Sequence, residues 1–180
     1  MTDSHRTGRQ RLAPVTPATD ALFVYGTLRF PRVLTALLGR APAGHPASLT
    51  GWRTAALRDR PYPGLVQVDS SARDTARPPA SGLVLRGLSA REWRVLDDFE
   101  DDAYALRALP LDAPPAPIAP PAPIAPPPPR SEAEAEAPGT LAWAYIWIAP
   151  DQVRADTWSA EDFAVRQLDA YAALLESAGG

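Results

Sequence analysis

The sequence predicts an α+β domain built on a small mixed sheet. Five or six strand-like segments are interspersed with three amphipathic segments at helical spacing, so strands outnumber the crossovers that an all-parallel sheet would need. A segment whose two faces are both apolar, residues 139–148, should lie at the centre of the sheet. Such a sheet could curl into a small barrel with the helices packed outside it.

The chain length suits one domain, which we place at residues 21–180. Residues 1–20 are polar and without periodicity, and we expect them to form a disordered tail. Residues 112–138 carry a duplicated Pro-Ala-Pro-Ile-Ala-Pro-Pro unit and several glutamates, which predicts a proline-rich disordered insert. The fold could tolerate this insert between two strands because loop-closure entropy grows only logarithmically with length.

The first element is a buried strand that stops at a glycine turn. Residues 21–25 suit a pleated sheet, whereas Gly26 can take backbone angles that cost other residues more. Apolar residues at helical spacing then predict a helix from Pro31 to Gly39. The backbone N–H groups of Gly26, Thr27 and Leu28 could therefore bind a carboxylate or carbonyl oxygen. Such turns are common, so this stretch taken alone favours a purely structural role.

The remaining elements follow from local patterns. Residues 47–57 read as one strand with a bulge at Gly51, and shorter strands follow near 65–68 and at 81–88. Ser89 and Glu92 match a capping box, so a helix should begin there and end near Phe99. A weak strand at 105–111, the strong strand at 139–148 and a C-terminal helix after Ser159 complete the prediction.

Composition excludes several classes of function. The net charge of −3 is scattered along the chain, which favours neither nucleic acid nor an anionic membrane as a partner. There is no cysteine, and the two histidines are too few for a histidine metal cluster or a Ser-His pair. The sequence has neither a signal-peptide pattern nor an apolar run long enough to cross a bilayer, so we expect a soluble cytoplasmic protein.

The second candidate site is an acidic run at the end of the helix predicted from Ser89 to Phe99. Five carboxylates fall within the six positions 97–102, and a solvated helix end is their simplest explanation. Glu100 differs from the others because it follows Phe99 and lies four residues after Leu96, on the apolar side. An acid in such surroundings has a raised pKa and can exchange protons near neutrality, whereas Asp97, Asp98, Asp101 and Asp102 should reach water. The spacing does not match a calcium-binding loop, so we expect no metal site.

The two candidate stretches together resemble the gamma-glutamylcyclotransferase-like family, in its avirulence-induced-gene-like branch. Residues 23–28 and 96–104 carry the resemblance, supported by Gly51-Trp52, Tyr62-Pro63-Gly64, the strand around Tyr145, and Trp158. It implies a small mixed β-barrel of five to seven strands flanked by about three helices. It also implies a γ-glutamyl small molecule as substrate, cyclised to 5-oxoproline with release of an amine, and no metal or cofactor.

The same resemblance assigns roles to residues. Glu100 would be the acid–base residue, and the substrate cavity would be lined by Val24, Tyr25, Gly26, Thr27, Leu28 and Arg29. Two departures stand out, because many relatives have glycine at the position of Asp101 and an arginine one position before Arg107. A contribution of Arg107 to the site, and the oligomeric state, are left open by the sequence.

A hypothesis of another class uses the insert. The domain could be a catalytically silent binding or scaffold module that recruits a partner through the polyproline stretch at residues 114–129. A passive insert is the simpler interpretation.

Overall fold

The computed structural model describes residues 11–68, 78–112 and 140–178. Apart from Asp112, the proline-rich insert predicted at 112–138 lies outside these residues, as does the tail from 1 to 10. Eight strands are described, namely β1 Leu22–Val24, β2 Gly44–Leu49, β3 Trp52–Leu57, β4 Gly64–Gln67, β5 Ala80–Leu85, β6 Tyr104–Pro110, β7 Leu141–Trp147 and β8 Val153–Thr157. The α-helices are α1 Pro31–Leu38, α2 Ala90–Phe99, α3 Ala160–Arg166 and α4 Leu168–Ala178, with 3-10 helices at Gly26–Arg29 and Pro150–Gln152.

The strands form two sheets. The larger has the order β2-β5-β1-β7-β6, and the smaller has the order β4-β3-β8. Strand β1 pairs antiparallel with β5 and parallel with β7, so the larger sheet is mixed. All three residues of β1 are buried at its centre. The predicted α+β class with a mixed sheet is confirmed, although the described residues contain eight strands where at most seven were expected.

Two of the eight strands go beyond the six strand segments that were predicted from the sequence. Residues 47–57 were predicted as one bulged strand, but the chain turns at Gly51, which has φ +80°. Strand β2 pairs with β5 in the larger sheet, whereas β3 pairs with β4 and β8 in the smaller one. Gly51 therefore marks the corner where the chain passes from one sheet to the other. Strand β8 was not predicted because it is short and mostly exposed, and its pairing with β3 decides its conformation.

The segment before β1 also departs from expectation. Disorder was expected up to Asp20, but Leu12 and Val15 pack against the core. The Asp20 carboxylate accepts hydrogen bonds from the indole N–H of Trp143, at 2.8 Å, and from the backbone N–H of Thr16, at 2.8 Å. Residues 11–20 therefore belong to the fold. Two apolar side chains pack this stretch against the core and one carboxylate bonds it to Trp143, although the stretch has no periodicity of its own.

Helix α2 forms as predicted. The Ser89 hydroxyl accepts from the backbone N–H of Glu92 at 3.2 Å, and the Glu92 carboxylate accepts from the backbone N–H of Ser89 at 2.8 Å. Trp93 and Leu96 are buried on its inner face, and the helix ends at Phe99. Over the part of the chain that the structure describes, every helix is too short or too polar to span a lipid bilayer.

Candidate active site

A cavity of about 620 Å³ opens where the end of β1, the end of α2 and helix α4 meet. Of the residues predicted to line a site, Val24, Tyr25, Thr27, Leu28 and Glu100 line this cavity. The other two, Gly26 and Arg29, line a second pocket of about 520 Å³ together with Trp158. The fold thus brings the two candidate stretches together, although they are far apart in the sequence.

The turn after β1 is fixed by Gly26. Its φ of +59° lies in the left-handed region, and a Cβ at this position would lie 2.4 Å from Cγ of Pro63. Only glycine fits both the angle and the close approach. A 3-10 helix begins at Gly26, and the first N–H groups of such a helix have no partner within it.

Tyr25 joins the two sheets at the base of the cavity. Its hydroxyl donates to the carbonyl of Tyr145 in β7, at 2.5 Å, and accepts from the backbone N–H of Leu65 in β4, at 3.1 Å. Burial raises the pKa of the Tyr25 phenol well above its ordinary value, and the negative charge of Glu100 raises it further. The hydroxyl therefore stays neutral and acts as a fixed link between the sheets, while the ring faces the cavity.

Glu100 stands at the C-terminal cap of α2. Its backbone N–H donates to the carbonyl of Leu96 at 3.2 Å, and its ψ of 135° turns the chain out of the helix. Burial raises the pKa of the Glu100 carboxyl to about 8. The Arg11 guanidinium opposes this shift, while Asp97 and Asp101 add to it. A carboxyl with this pKa exchanges protons near neutral pH, as the sequence predicted for Glu100.

The neighbouring acids separate into different environments. Asp98 and Asp102 are exposed, as expected, and Asp101 is partly exposed, with an ion pair to Arg60 at 2.7 Å. A hydrogen bond from the backbone N–H of Ala103 is the main reason that the pKa of Asp101 is lowered. Asp97 was also expected to reach water, but it is only 1% exposed.

Asp97 is buried because it has partners that the helix pattern does not show. Its carboxylate accepts from the Tyr145 hydroxyl at 2.9 Å and lies 3.1 Å from Nε of Arg11. Burial raises the pKa of the Asp97 carboxyl, and these two partners oppose the shift.

Several lining residues were not assigned a role from the sequence. Tyr145 and Tyr62 stood in the motifs that carried the resemblance, whereas Tyr171 was taken only as an apolar position of the C-terminal helix. Burial raises the pKa of the Tyr171 phenol to about 12, and a hydrogen bond with Thr27 opposes the shift. Arg107 is exposed on β6 and does not line the cavity.

Arg11 is a lining residue to which no sequence pattern pointed. Its two terminal nitrogens donate to four backbone carbonyls around the end of α2, those of Asp97 at 2.8 Å, Glu100 at 3.3 Å, Asp101 at 3.1 Å and Tyr104 at 3.0 Å. No periodicity or motif surrounds Arg11, so only the tertiary structure reveals this contact. The described residues, 11–68, 78–112 and 140–178, contain no cluster of three His, Cys, Asp or Glu side chains suited to a metal ion.

The fold and the site define a small α+β domain that encloses an acid-bearing cavity. Residues 22–165 match the family described as gamma-glutamyl cyclotransferase, AIG2-like, and the chain belongs to this family. The resemblance carried by residues 23–28 and 96–104 is therefore confirmed at the level of the family.

Two proteins from Arabidopsis thaliana are similar to part of this chain. AIG2-like protein C is 37% identical over 83 residues, which make up 46% of this chain and 44% of that protein. AIG2-like protein D is 34% identical over 89 residues, which make up 49% of this chain and 54% of that protein. The matched part thus spans about half the length of these relatives.

Two solution structures share the fold. They are of the Arabidopsis thaliana proteins At5g39720.1 and At3g28950.1, each with a TM-score of 0.54 and 21% identity. Both superpositions cover 90% of this chain, together with 91% and 82% of the respective neighbours.

Proposed function

We propose that this protein is a γ-glutamyl cyclotransferase that releases 5-oxoproline and an amine from a γ-glutamyl amine or peptide. The observation that carries the proposal is the Glu100 carboxyl, which faces a cavity of about 620 Å³ and has its pKa raised to about 8. Membership of the family supports the same class of reaction. The cavity is large enough for a small molecule of this kind.

Glu100 would serve as base and then as acid. The α-amine of the substrate attacks the γ-carbonyl carbon, and the Glu100 carboxylate accepts the proton that this nitrogen loses. The γ-amide C–N bond then breaks, and Glu100 returns the proton to the departing amine. The ring closes as 5-oxoproline with no net gain or loss of protons. One carboxyl can perform both transfers because its pKa lies near the working pH.

The turn on the other side of the cavity would hold the substrate. Val24, Tyr25, Thr27 and Leu28 line it, and backbone N–H groups at the start of the 3-10 helix are suited to an oxyanion or the substrate α-carboxylate. Gly26 would act through its backbone conformation, and Arg29, which lines the second pocket, would contribute less than its neighbours.

The first prediction is tested with a panel of γ-glutamyl amines and peptides, with 5-oxoproline measured by mass spectrometry. We expect release by the parent and a loss of about 100-fold to 10,000-fold in kcat for Glu100→Gln, because the proton relay is removed. Asp151→Asn is the control, since it neutralises an exposed acid that does not line the cavity and should keep the activity.

Two outcomes would contradict the proposal at different levels. Release by Glu100→Gln at the parent rate would show that another group transfers the proton. No product from any member of the panel would reject the cyclotransferase and favour the binding-module hypothesis.

A further inference from the structure

We propose that Arg11 is a positioning residue for the Glu100 site, fastening the end of α2 to the start of β6 so that Glu100 faces the cavity. The proposal rests on the function proposed above for Glu100. It assigns a role in the site to the segment that precedes the first strand.

Arg11 contacts the end of α2 with both of its terminal nitrogens. One terminal nitrogen of Arg11 donates to the carbonyls of Asp101 and Tyr104, and the other to those of Asp97 and Glu100. Nε lies 3.1 Å from a carboxylate oxygen of Asp97 in an ion pair that is not a well-aligned hydrogen bond. The guanidinium therefore spans the last turn of α2, its cap and the first residue of β6.

The physical reason for this contact is the end of the helix. The last carbonyls of an α-helix have no partner within it, and the helix dipole places partial negative charge there. Carboxylates crowd the same end and add to that charge. A buried cation with a planar fork of donors satisfies the carbonyls and balances the charge in one step. The side chain of Arg11 is only 13% exposed, so little water competes with it for these carbonyls.

Arg11 acts through Glu100 and not on the substrate. Its two terminal nitrogens already donate to four backbone carbonyls, so binding a substrate carboxylate through them would require breaking these bonds. Its loss should therefore lower kcat by displacing Glu100 and leave KM much less affected.

The charge of Arg11 also bears on Glu100. The acids that line the same cavity as Glu100 are Asp97 and Asp98 on α2 and Asp101 and Asp102 in the following loop. Five tyrosines also line this cavity, from the turn after β1, the loop before β4, β6, β7 and α4, namely Tyr25, Tyr62, Tyr104, Tyr145 and Tyr171. Among the described lining residues, Arg11 carries the only positive charge. Removing it should make Glu100 harder to deprotonate.

The experiment compares Arg11→Gln and Arg11→Lys with the parent, using Arg107→Gln as the control because Arg107 is exposed and outside the cavity. Arg11→Gln should lose about 10-fold to 100-fold in kcat, the size expected for a displaced catalytic group. The acid limb of its pH profile should move to higher pH. Arg11→Lys keeps the charge but not the fork, so its kcat should fall while the acid limb stays near the parent's.

A second measurement does not depend on turnover. With ¹³C-carboxyl glutamate in the full chain, NMR follows the titration of Glu100, assigned by its absence in Glu100→Gln. Its pKa should rise in Arg11→Gln and stay unchanged in Arg107→Gln. Amide hydrogen exchange at residues 100–104 should accelerate in both Arg11 variants. If the parent makes no 5-oxoproline, the proposed function fails, while these readouts still decide the positioning role.

The proposal is overturned if folded Arg11→Gln keeps the parent's Glu100 titration and exchange rates. Circular dichroism and Tm establish folding for each variant. If Arg11→Gln does not fold, Arg11→Lys decides the matter, and parent-like exchange at residues 100–104 in that variant rejects the proposal.

Discussion

At the scale of single residues, the central feature is one carboxyl whose charge the fold disfavours. Glu100 is the C-terminal cap directly after α2, and burial raises its pKa from 4.5 to about 8. The folded state therefore binds its proton more tightly than the unfolded chain does. The same property that suits Glu100 to proton transfer must lower the stability of the protein at high pH.

This linkage gives a second prediction, on stability. The loss of stability caused by the Glu100 charge is absent below about pH 4.5, where Glu100 is protonated in both the folded and the unfolded state. This loss grows as the pH rises and is complete above about pH 8. Glu100→Gln cannot ionise, so it should stabilise the protein at pH 9 by roughly 2–4 kcal/mol after allowance for solvent screening. Tm should then rise by roughly 4–16 °C at pH 9 and change little at pH 5.

The measurement is thermal unfolding of both proteins across this pH range, with Asp151→Asn as the control. Asp151 is exposed and lies outside the cavity, so its removal should not produce the same pH-dependent gain. Equal Tm differences at pH 5 and pH 9 would show that Glu100 is not buried in its charged form.

At the scale of elements, the turn from Gly26 to Arg29 depends on one backbone angle and one close contact. Gly26 has φ +59° and packs against Pro63. Gly39, which ends α1, has φ +74° with nothing within 4 Å of a Cβ built there. The two glycines share the left-handed conformation and differ in the space around them, so they form a natural pair of variants.

The third prediction uses this pair. Gly39→Ala should cost about 1–2 kcal/mol in the free energy of unfolding, the strain of a left-handed alanine. Gly26→Ala should cost roughly 1–3 kcal/mol more, because its Cβ would overlap Pro63. Denaturant unfolding measures both costs, and turnover should fall in Gly26→Ala alone. Equal losses for the two variants would contradict the close packing of the turn on Pro63.

At the scale of the whole molecule, the two sheets are held together around the cavity. The Tyr25 hydroxyl links β7 of the larger sheet to β4 of the smaller one. The long connection between β6 and β7 starts and ends at paired positions, since Pro110 pairs with Leu141. The pairing continues one step further, with the Leu111 N–H donating to the Thr140 carbonyl at 3.0 Å.

The fourth prediction follows from these paired ends. Replacing residues 113–138 by a four-residue turn should keep the fold and the turnover, and should raise stability by up to about 1–2 kcal/mol through the shorter loop. Asp112 must be retained, because its carboxylate accepts from the Ser48 hydroxyl at 2.6 Å and from the Thr50 N–H at 2.9 Å. Denaturant unfolding and a comparison of bound partners check the result. Lost partners would support the recruitment hypothesis, and lost stability would show that the insert contacts the domain.

Much of the fold could be predicted because its signals are local. The capping box at Ser89, the apolar side chains of α2 and the glycine after β1 depend on neighbours in the chain, and the structure contains all three. The pairing of strands is not local. Residues 47–57 have a continuous strand-like pattern, and nothing in it tells that the halves join different sheets at Gly51.

The sequence by itself determined the α+β class, the family and the exceptional position of Glu100, because each rests on short patterns of residue type. Only the tertiary structure decided which acids are buried and which residues surround Glu100. Asp97 is buried through Tyr145 and Arg11, residues far from it in the sequence. Contacts between distant segments depend on how the whole chain packs, and no local pattern encodes them. For this reason a polar segment expected to be disordered supplies the cation that holds the end of α2.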